Sequence, residues 1–193
     1  IRLNNSVFRS GPNQYWGTVD PWSLERLELV KGPASVLYGS DAVGGAALAW
    51  TPRLESGGPG LTWERRLALR LASAERSWIA RGEVRGSLDE SWRFLAGATW
   101  KEFGELQAGP DTGTWPKTGY EEGAADLKLE HHFHQDAYLS LAYQRVRQDD
   151  AWRVHKTLYG KSWRSTTVGN ERRRSLSQER DLAYLQYHAR DLE

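Results

Sequence analysis

The stretch that decides the fold runs from Leu24 to Gly45 and reads LERLELVKGPASVLYGSDAVGG. Its first seven residues, Leu24 to Val30, alternate aliphatic and charged side chains, which predicts a short extended strand. Glycine and proline end this strand, because glycine frees the backbone to turn and proline fixes φ and removes a donor. We therefore predict turns at Lys31-Gly32-Pro33 and Gly44-Gly45, with one short turn at Ala34 to Tyr38 between them. Such dense turn chemistry is typical of a compact, loop-rich unit.

This stretch resembles the plug-domain signature of TonB-dependent outer-membrane receptors, in which an IERIEV strand leads into RGP, a short SxLYG turn and AIGG. Leu24 to Val30 is similar to the strand, and Lys31 stands where the family has arginine. Ile1 to Asn5 resembles the upstream DGVRLNN segment, and the similarity extends to Pro52. The resemblance implies a structural plug motif made of Lys31, Gly32, Pro33, Leu37, Tyr38, Gly39, Gly44 and Gly45.

Composition excludes several classes of protein. The 26 lysines and arginines nearly balance the 25 aspartates and glutamates, so a net charge of +1 gives no reason to expect a nucleic-acid partner. Without cysteine the 193 residues have neither a disulfide framework nor a thiolate metal site. No apolar run approaches the roughly 18 residues of a membrane-spanning helix. The mean hydropathy of −0.69 still fits transmembrane β-strands, because their side chains alternate between lipid and lumen.

The composition of the chain changes between Thr51 and Gly60, where Pro52, Pro59 and several glycines cluster. We predict the end of a plug domain at residues 1–52, a linker at 53–60 and barrel strands at 61–193. The chain begins at Ile1, contains no methionine and shows no signal peptide, so we expect it to be cut from a longer protein.

Six segments after the linker alternate apolar or small residues with charged ones. They are Trp63 to Leu71, Trp78 to Leu88, Trp92 to Phe103, Ala125 to Phe133, Ala137 to Tyr143 and Ala183 to Ala189. Leu95 is an exception to the alternation. The lipid-facing set is predicted as Ala80, Val84, Phe94, Ala96, Ala98, Leu127, Leu129, Leu139 and Leu141. The opposite, lumen-facing set is Glu64, Arg66, Arg70, Arg81, Glu83, Arg85, Lys101, Asp126, Lys128 and Glu130, which either lines a polar substrate path or pairs across strands and with the plug.

The connections alternate in length. Short turns are predicted at 89–91 and 134–136, and long polar connections at 104–119 and 149–176, as in outer-membrane barrels; only the short connection at 73–77 departs from this alternation. The fold class is therefore a mixed α/β plug fragment followed by antiparallel transmembrane β-barrel strands. Six strands leave the barrel incomplete, because such barrels begin at about eight strands and plugged transporters have about twenty-two.

Aromatic residues lie near the predicted strand ends, where interfacial girdles are found. They are Trp63, Trp78, Trp92, Trp100, Phe133 and Tyr138. In a soluble β-sandwich the same residues would fill a core, and periodicity alone does not separate the two folds.

Other polar clusters do not predict a catalytic, cofactor or metal site. His131 and His132 would lie on opposite faces of one strand and His134 in the following turn, so they would not converge on a metal. Ser35, Ser40 and Asp41 lack a G-x-S-x-G elbow, and we predict no enzyme. The cationic run Arg172-Arg173-Arg174 is either a solvated loop or a contact for lipopolysaccharide phosphates.

The family resemblance implies active uptake of a scarce, bulky ligand such as a ferric siderophore, haem, cobalamin or an oligosaccharide. The implied location is the bacterial outer membrane. The implied partners are the TonB complex of the inner membrane, a small-molecule or metal-chelate ligand and outer-membrane lipid. The alternative is a soluble β-rich ligand-binding module without transport activity, which detergent partition of the full-length protein would distinguish.

Overall fold

The chain folds into two antiparallel sheets, a small one near the N-terminus and a large one after residue 61. The computed structural model describes residues 3, 15–40, 42–55, 57–134, 137–162, 164 and 167–189. Ile1 to Asn5, which carry the upstream resemblance, lie outside the described residues except for Leu3. Asp41 also lies outside them. Two short 3-10 helices, Tyr15–Thr18 and Pro21–Ser23, precede the first sheet.

The first sheet is a hairpin of β1 (Arg26–Lys31) and β2 (Gly45–Trp50), with the one-turn helix α1 (Ser35–Tyr38) in its connection. Its pairing runs from Arg26 opposite Trp50 to Lys31 opposite Gly45. The predicted strand is thus present, with β1 beginning two residues later than the predicted Leu24, and the predicted short turn at Ala34 to Tyr38 is one turn of α-helix.

The ends of this hairpin correct the predicted turn positions. Lys31 and Gly45 are paired strand residues, while Gly32, with φ +100°, and Gly44 lie in the connection. Gly45 has φ +150°, and a Cβ there would collide with the Val30 carbonyl oxygen. Glycine is therefore required at residue 45 for the two strands to meet at this spacing.

The second sheet contains six strands in chain order, each antiparallel to the next. This confirms the predicted number of strands. Among the described residues β3 and β8 pair on one side only, so they are the edges of an open sheet. The strands are β3 (Thr62–Ala72), β4 (Ser77–Ser87), β5 (Trp92–Phe103), β6 (Tyr120–His134), β7 (Ala137–Trp152) and β8 (Ser175–Ala189).

The last three strands are longer than predicted. β6 begins at Tyr120 rather than Ala125, β7 continues to Trp152 rather than Tyr143, and β8 begins at Ser175 rather than Ala183. Most of the added residues of β7 and β8 are polar on both faces, with only isolated apolar residues such as Val146 and Leu182, so no apolar alternation reveals a strand. A register shift between Gln148 and Ala151 also interrupts their period. The long connection shrinks accordingly to residues 153–174.

Alternation separates the large sheet into two faces, which confirms that the two predicted sets lie on opposite sides. The register places Arg81, Thr99, Ala124 and Val146 in line on the face we call inner. The opposite, outer face holds the whole set Ala80, Val84, Phe94, Ala96, Ala98, Leu127, Leu129, Leu139 and Leu141. Tyr138 departs from the other predicted girdle aromatics, because it stacks on His132 on the inner face, with the ring centroids 4.7 Å apart.

Two short turns are held by local side-chain hydrogen bonds. The Asp89 carboxylate accepts the backbone N–H groups of Ser91 at 2.7 Å and Trp92 at 2.8 Å, which closes the β4–β5 hairpin. In the β3–β4 turn the Glu75 carboxylate accepts from Ser77 at 2.9 Å and from Arg70 at 3.1 Å. These hydrogen bonds lower the pKa of Glu75. No helix among the described residues has both the length and the apolar content to cross a membrane.

The 193-residue chain expressed alone is expected to aggregate in detergent-free buffer. The edges β3 and β8 present unpaired backbone groups, and large apolar side chains of the outer face, such as Leu67 at 86% and Leu71 at 73%, are exposed. Size-exclusion chromatography should place the material at the void volume. A monomer that melts cooperatively and resists protease would contradict this expectation.

Candidate functional site

The candidate site is the interface between the inner face of the large sheet and residues 15–55, which we call the N-terminal segment. Asp20 is the residue of this segment whose carboxylate contacts the charged side chains of the sheet. It caps the 3-10 helix Pro21–Ser23, with its side chain accepting the Trp22 backbone N–H at 3.2 Å. The proline at the first helical position fixes the turn, and Asp20 is left only 3% exposed.

Asp20 binds three side chains of the sheet that lie far from it in sequence. Its carboxylate accepts the Thr99 hydroxyl at 2.6 Å and the Lys101 ammonium at 3.0 Å. The Arg81 guanidinium lies 3.9 Å away. One carboxylate therefore links the N-terminal segment to both β4 and β5.

Arg81 is the centre of the buried polar contacts. Its guanidinium donates two hydrogen bonds to Asp126, at 2.8 and 3.1 Å, and approaches Glu83 at 2.7 Å. It also donates to Thr99 at 3.2 Å. Gly97 makes room for this arrangement, because a Cβ there would collide with the guanidinium. The fork geometry of arginine suits such simultaneous binding of carboxylates better than a lysine would.

These contacts form what we call the charge cluster: Asp20, Arg81, Glu83, Lys101, Glu122 and Asp126. Each of its residues is buried, and Lys101 joins Asp20 to Glu122. The cluster has four carboxylates and two cations, so each cation serves more than one carboxylate. Charges removed from water in this way are costly unless every partner is kept, which makes the cluster sensitive to the loss of one member.

Three further side chains of the inner face hold backbone carbonyls of the N-terminal segment. Arg180 of β8 donates to Thr18 O at 2.8 Å, Lys128 of β6 to Pro52 O at 3.0 Å, and Arg93 of β5 to Leu54 O at 3.2 Å. The attachments lie on both sides of the β1–β2 hairpin. The predicted linker thus begins in contact with the sheet, while the predicted domain boundaries at 52 and 60 stay predictions.

The plug motif predicted from the sequence lies apart from the charge cluster. Leu37 is 79% exposed and Tyr38 is half-exposed, while the buried residues of the connection are Ala34 and Ala42. Gly32 and Gly44 are joined by a backbone hydrogen bond of 3.2 Å, which closes the loop. The structural role of the motif stays a prediction.

His131 and His132 lie on opposite faces of β6, as predicted, whereas His134, predicted in the turn, is the last residue of β6 and pairs with Ala137. His131 packs on the outer face against Trp92, with the ring centroids 4.4 Å apart, whereas His132 approaches Glu130 on the inner face at 3.2 Å. The described residues contain no group of three possible ligands that could hold a metal ion.

The arginine run at 172–174 is partly paired. Arg173 forms a salt bridge with Asp150 at 3.2 Å and Arg174 approaches Glu171 at 3.5 Å. These contacts favour the interpretation as a solvated loop over a free cationic patch. Ser35 is the first residue of α1, and Asp41 of the same group lies outside the described residues.

Comparison with known proteins identifies a family to which the N-terminal segment is similar. The family model described as the TonB-dependent receptor plug domain matches residues 1–46. Residues 1–46 are therefore a plug-domain segment of the TonB-dependent receptor family. The match ends within β2, so it covers the segment that carries Asp20 and the glycine-rich hairpin. The resemblance of Leu24 to Gly45 to the plug signature is thereby confirmed.

Two relatives of the chain are ferrioxamine receptors. The chain is 35% identical over 82 residues to the ferrioxamine receptor of Yersinia enterocolitica, which covers 42% of the chain and 11% of that receptor. It is 52% identical over 80 residues to the ferrioxamine B receptor of Salmonella typhimurium, which covers 40% of the chain and 10% of that receptor. The aligned part thus spans about a tenth of these relatives' length. Both are receptors, in agreement with the prediction that the chain is not an enzyme.

Sequence reasoning missed Asp20 as a site residue. Asp20-Pro21 resembles only an approach to the plug strand, and its partner Thr99 lies 79 residues away. The available signal was the Asp-Pro pair itself, which is typical of a capped turn whose carboxylate has a fixed direction.

Proposed function

We propose that the parent protein imports a ferric siderophore of the ferrioxamine type across the bacterial outer membrane, driven by the TonB complex of the inner membrane. Residues 15–55 would be the end of its plug, and β3–β8 the first strands of its barrel wall. The observation that carries the proposal is the burial of Asp20 of the plug segment in the charged inner face of the sheet.

The large sheet has the features that a barrel wall requires. Its strands follow chain order, and its outer face carries leucine, alanine and valine in register across β3 to β7. Trp63 at 58%, Trp100 at 46% and Phe133 at 55% exposure add aromatic side chains to that face. A lipid-facing surface would cover these side chains, and further strands would cover the edges β3 and β8.

The polar contact between the plug segment and the sheet would allow the plug to be displaced during transport. Its described attachments are ion pairs and hydrogen bonds, namely the charge cluster and the donors Arg93, Lys128 and Arg180. Water that enters when the segment shifts can replace each of these bonds, whereas an apolar interface would expose hydrophobic surface. In this proposal force transmitted by TonB displaces the plug, and the long connections 104–119 and 153–174 select the ligand.

The substrate follows from the named relatives, which are receptors for ferrioxamine and ferrioxamine B. The proposed cargo is therefore a ferric siderophore rather than haem, cobalamin or an oligosaccharide. The iron belongs to this cargo, and the receptor segment performs no covalent chemistry on it.

Uptake by cells tests the proposal. The full-length gene is placed in a bacterial strain that lacks its own ferrioxamine receptors, and radioactive iron delivered as ferrioxamine B is measured in the cells. We expect uptake in the presence of TonB and none in an otherwise identical strain without TonB. The absence of uptake in both strains, or equal uptake in both, would contradict the proposed function.

A further inference from the structure

The end of the large sheet that bears the long connections contains an aromatic pair occupied by a lysine. The Lys117 ammonium lies 4.4 Å from the centroid of the Trp152 ring and 4.3 Å from that of the Tyr159 ring. The two rings are nearly perpendicular, at 87°, with their centroids 5.7 Å apart. An ammonium between two aromatic faces at such distances is held by cation–π attraction.

The rings are fixed more firmly than the lysine that fills the space between them. Trp152 is the last residue of β7 and pairs with Ser175 of β8. The Tyr159 backbone N–H donates at 3.2 Å to the hydroxyl of Thr157, a residue with 0% exposure. The Lys117 backbone is also held, because its N–H donates to the Glu105 carboxylate at 2.8 Å, but its side chain is exposed, long and unbranched and can leave the rings by rotation.

The electrostatics of the pair favour a cation. The Trp152 indole N–H donates to the Asp150 carboxylate at 2.9 Å, which increases the electron density of the ring face. Within the described part of the chain, the Lys117 ammonium has no carboxylate within salt-bridge distance. Among the described residues the Lys117 ammonium is therefore held by the two rings, and an external ammonium of the same chemistry can take its place.

We propose that the Trp152–Tyr159 pair is a binding site for a primary alkylammonium group of the transported ligand, and that Lys117 occupies it until the ligand arrives. The inference rests on the proposed function, because it concerns which ferric siderophores the connections select. The ligand class is a ferric hydroxamate chelate whose chain ends in a free amine. Displacement of Lys117 would also free the 104–119 connection from Trp152 and Tyr159, which belong to the end of β7 and the 153–174 connection.

The test measures the affinity of the full-length receptor for two probes. One is a linear ferric tris-hydroxamate that ends in a primary amine, and the other is the same chelate with that amine acetylated and therefore neutral. We expect the wild-type receptor to prefer the amine form, and Lys117→Ala to increase the preference because the site is then empty. Trp152→Leu should abolish the preference without weakening the acetylated form. The expected change is about 2- to 30-fold in affinity, the range of a cation–π contact from exposed to desolvated.

Two control variants separate this role from loop folding. Lys117→Arg keeps a cation against the rings and should behave as wild type. Trp115→Leu removes a tryptophan of the same connection that has no part in the pair, and should leave the preference unchanged. Equal binding of both probes by wild type and by Lys117→Ala, or equal weakening of both by Trp152→Leu, would overturn the inference and leave the transport proposal standing. Failure of the wild-type receptor to bind either probe would overturn the proposed function and the inference with it.

Discussion

Replacement of Arg81 by leucine should lower the free energy of unfolding of the full-length receptor in detergent by about 3–5 kcal/mol, because it leaves buried carboxylates without their cation. Arg81 is the only partner described for Glu83, and it supplies both hydrogen bonds that Asp126 receives. Lys101 cannot replace it, because its ammonium is already placed between Asp20 and Glu122. Denaturant or thermal unfolding measures the change.

A matched control for Arg81→Leu is Arg66→Leu. Arg66 lies on the same inner face, opposite Glu83 in the neighbouring strand, but is exposed. Its replacement should change the free energy of unfolding by less than about 1 kcal/mol, as for other exposed charges. Equal effects of the two variants would mean that the charge cluster adds nothing beyond ordinary surface electrostatics.

Replacement of Asp20 by alanine should detach the N-terminal segment from the sheet. The variant loses the hydrogen bond from Thr99 at 2.6 Å and the ion pair with Lys101 at 3.0 Å. It also loses the cap on the Trp22 N–H. Removing one partner of a buried charge pair weakens an interface by about 2–5 kcal/mol of binding free energy. The interface affected here is the one between the N-terminal segment and the large sheet. Protease should then cleave the segment within residues 15–55 many times faster, and cells should become sensitive to large hydrophilic antibiotics.

The controls for Asp20→Ala lie in the same segment. Asp20→Asn keeps an acceptor for Trp22 and Thr99 but removes the charge, so its effect should fall between wild type and alanine. Glu28→Ala changes a half-buried carboxylate of β1 that pairs only with Arg26 among the described residues, and should leave cleavage unchanged. If Asp20→Ala resisted protease as well as Glu28→Ala, the buried carboxylate would not hold the plug in place.

Local chemistry was sufficient to predict that six strands exist and which face each side chain occupies, but not where the last three strands end or begin. The segment Trp92 to Phe103 was predicted with the bounds that β5 has, because its alternation is unbroken except at Leu95. Leu95 lies on the inner face, where the alternation predicts a polar residue, and it is only 3% exposed. An apolar side chain is found there because this part of the inner face is buried. Alternation thus assigns a residue to a face but not to what covers that face.

The charge cluster could not be predicted from the sequence, because its contacts depend on distant parts of the chain. Arg81 and Asp126 are 45 residues apart, and both were assigned only to the lumen-facing set. That set was predicted either to line a substrate path or to pair across strands and with the plug. Pairing is what Arg81 and Lys101 show, since Asp20 of the N-terminal segment contacts both. The added ends of β7 and β8 were not predicted, because segments that are mostly polar on both faces show no apolar period.

Cysteine labelling of the full-length receptor in outer membranes tests most directly whether the large sheet is a barrel wall. Arg66 and Leu67 of β3 are neighbours on opposite faces, as are Leu185 and Gln186 of β8, and all four are exposed in the open sheet. The 193 residues contain no cysteine that would interfere. In a wall, a water-soluble maleimide should label cysteine at 66 and 186, and a lipid-soluble probe should label cysteine at 67 and 185. Labelling of cysteine at 67 and 185 by the water-soluble reagent as fast as at 66 and 186 would contradict the membrane wall.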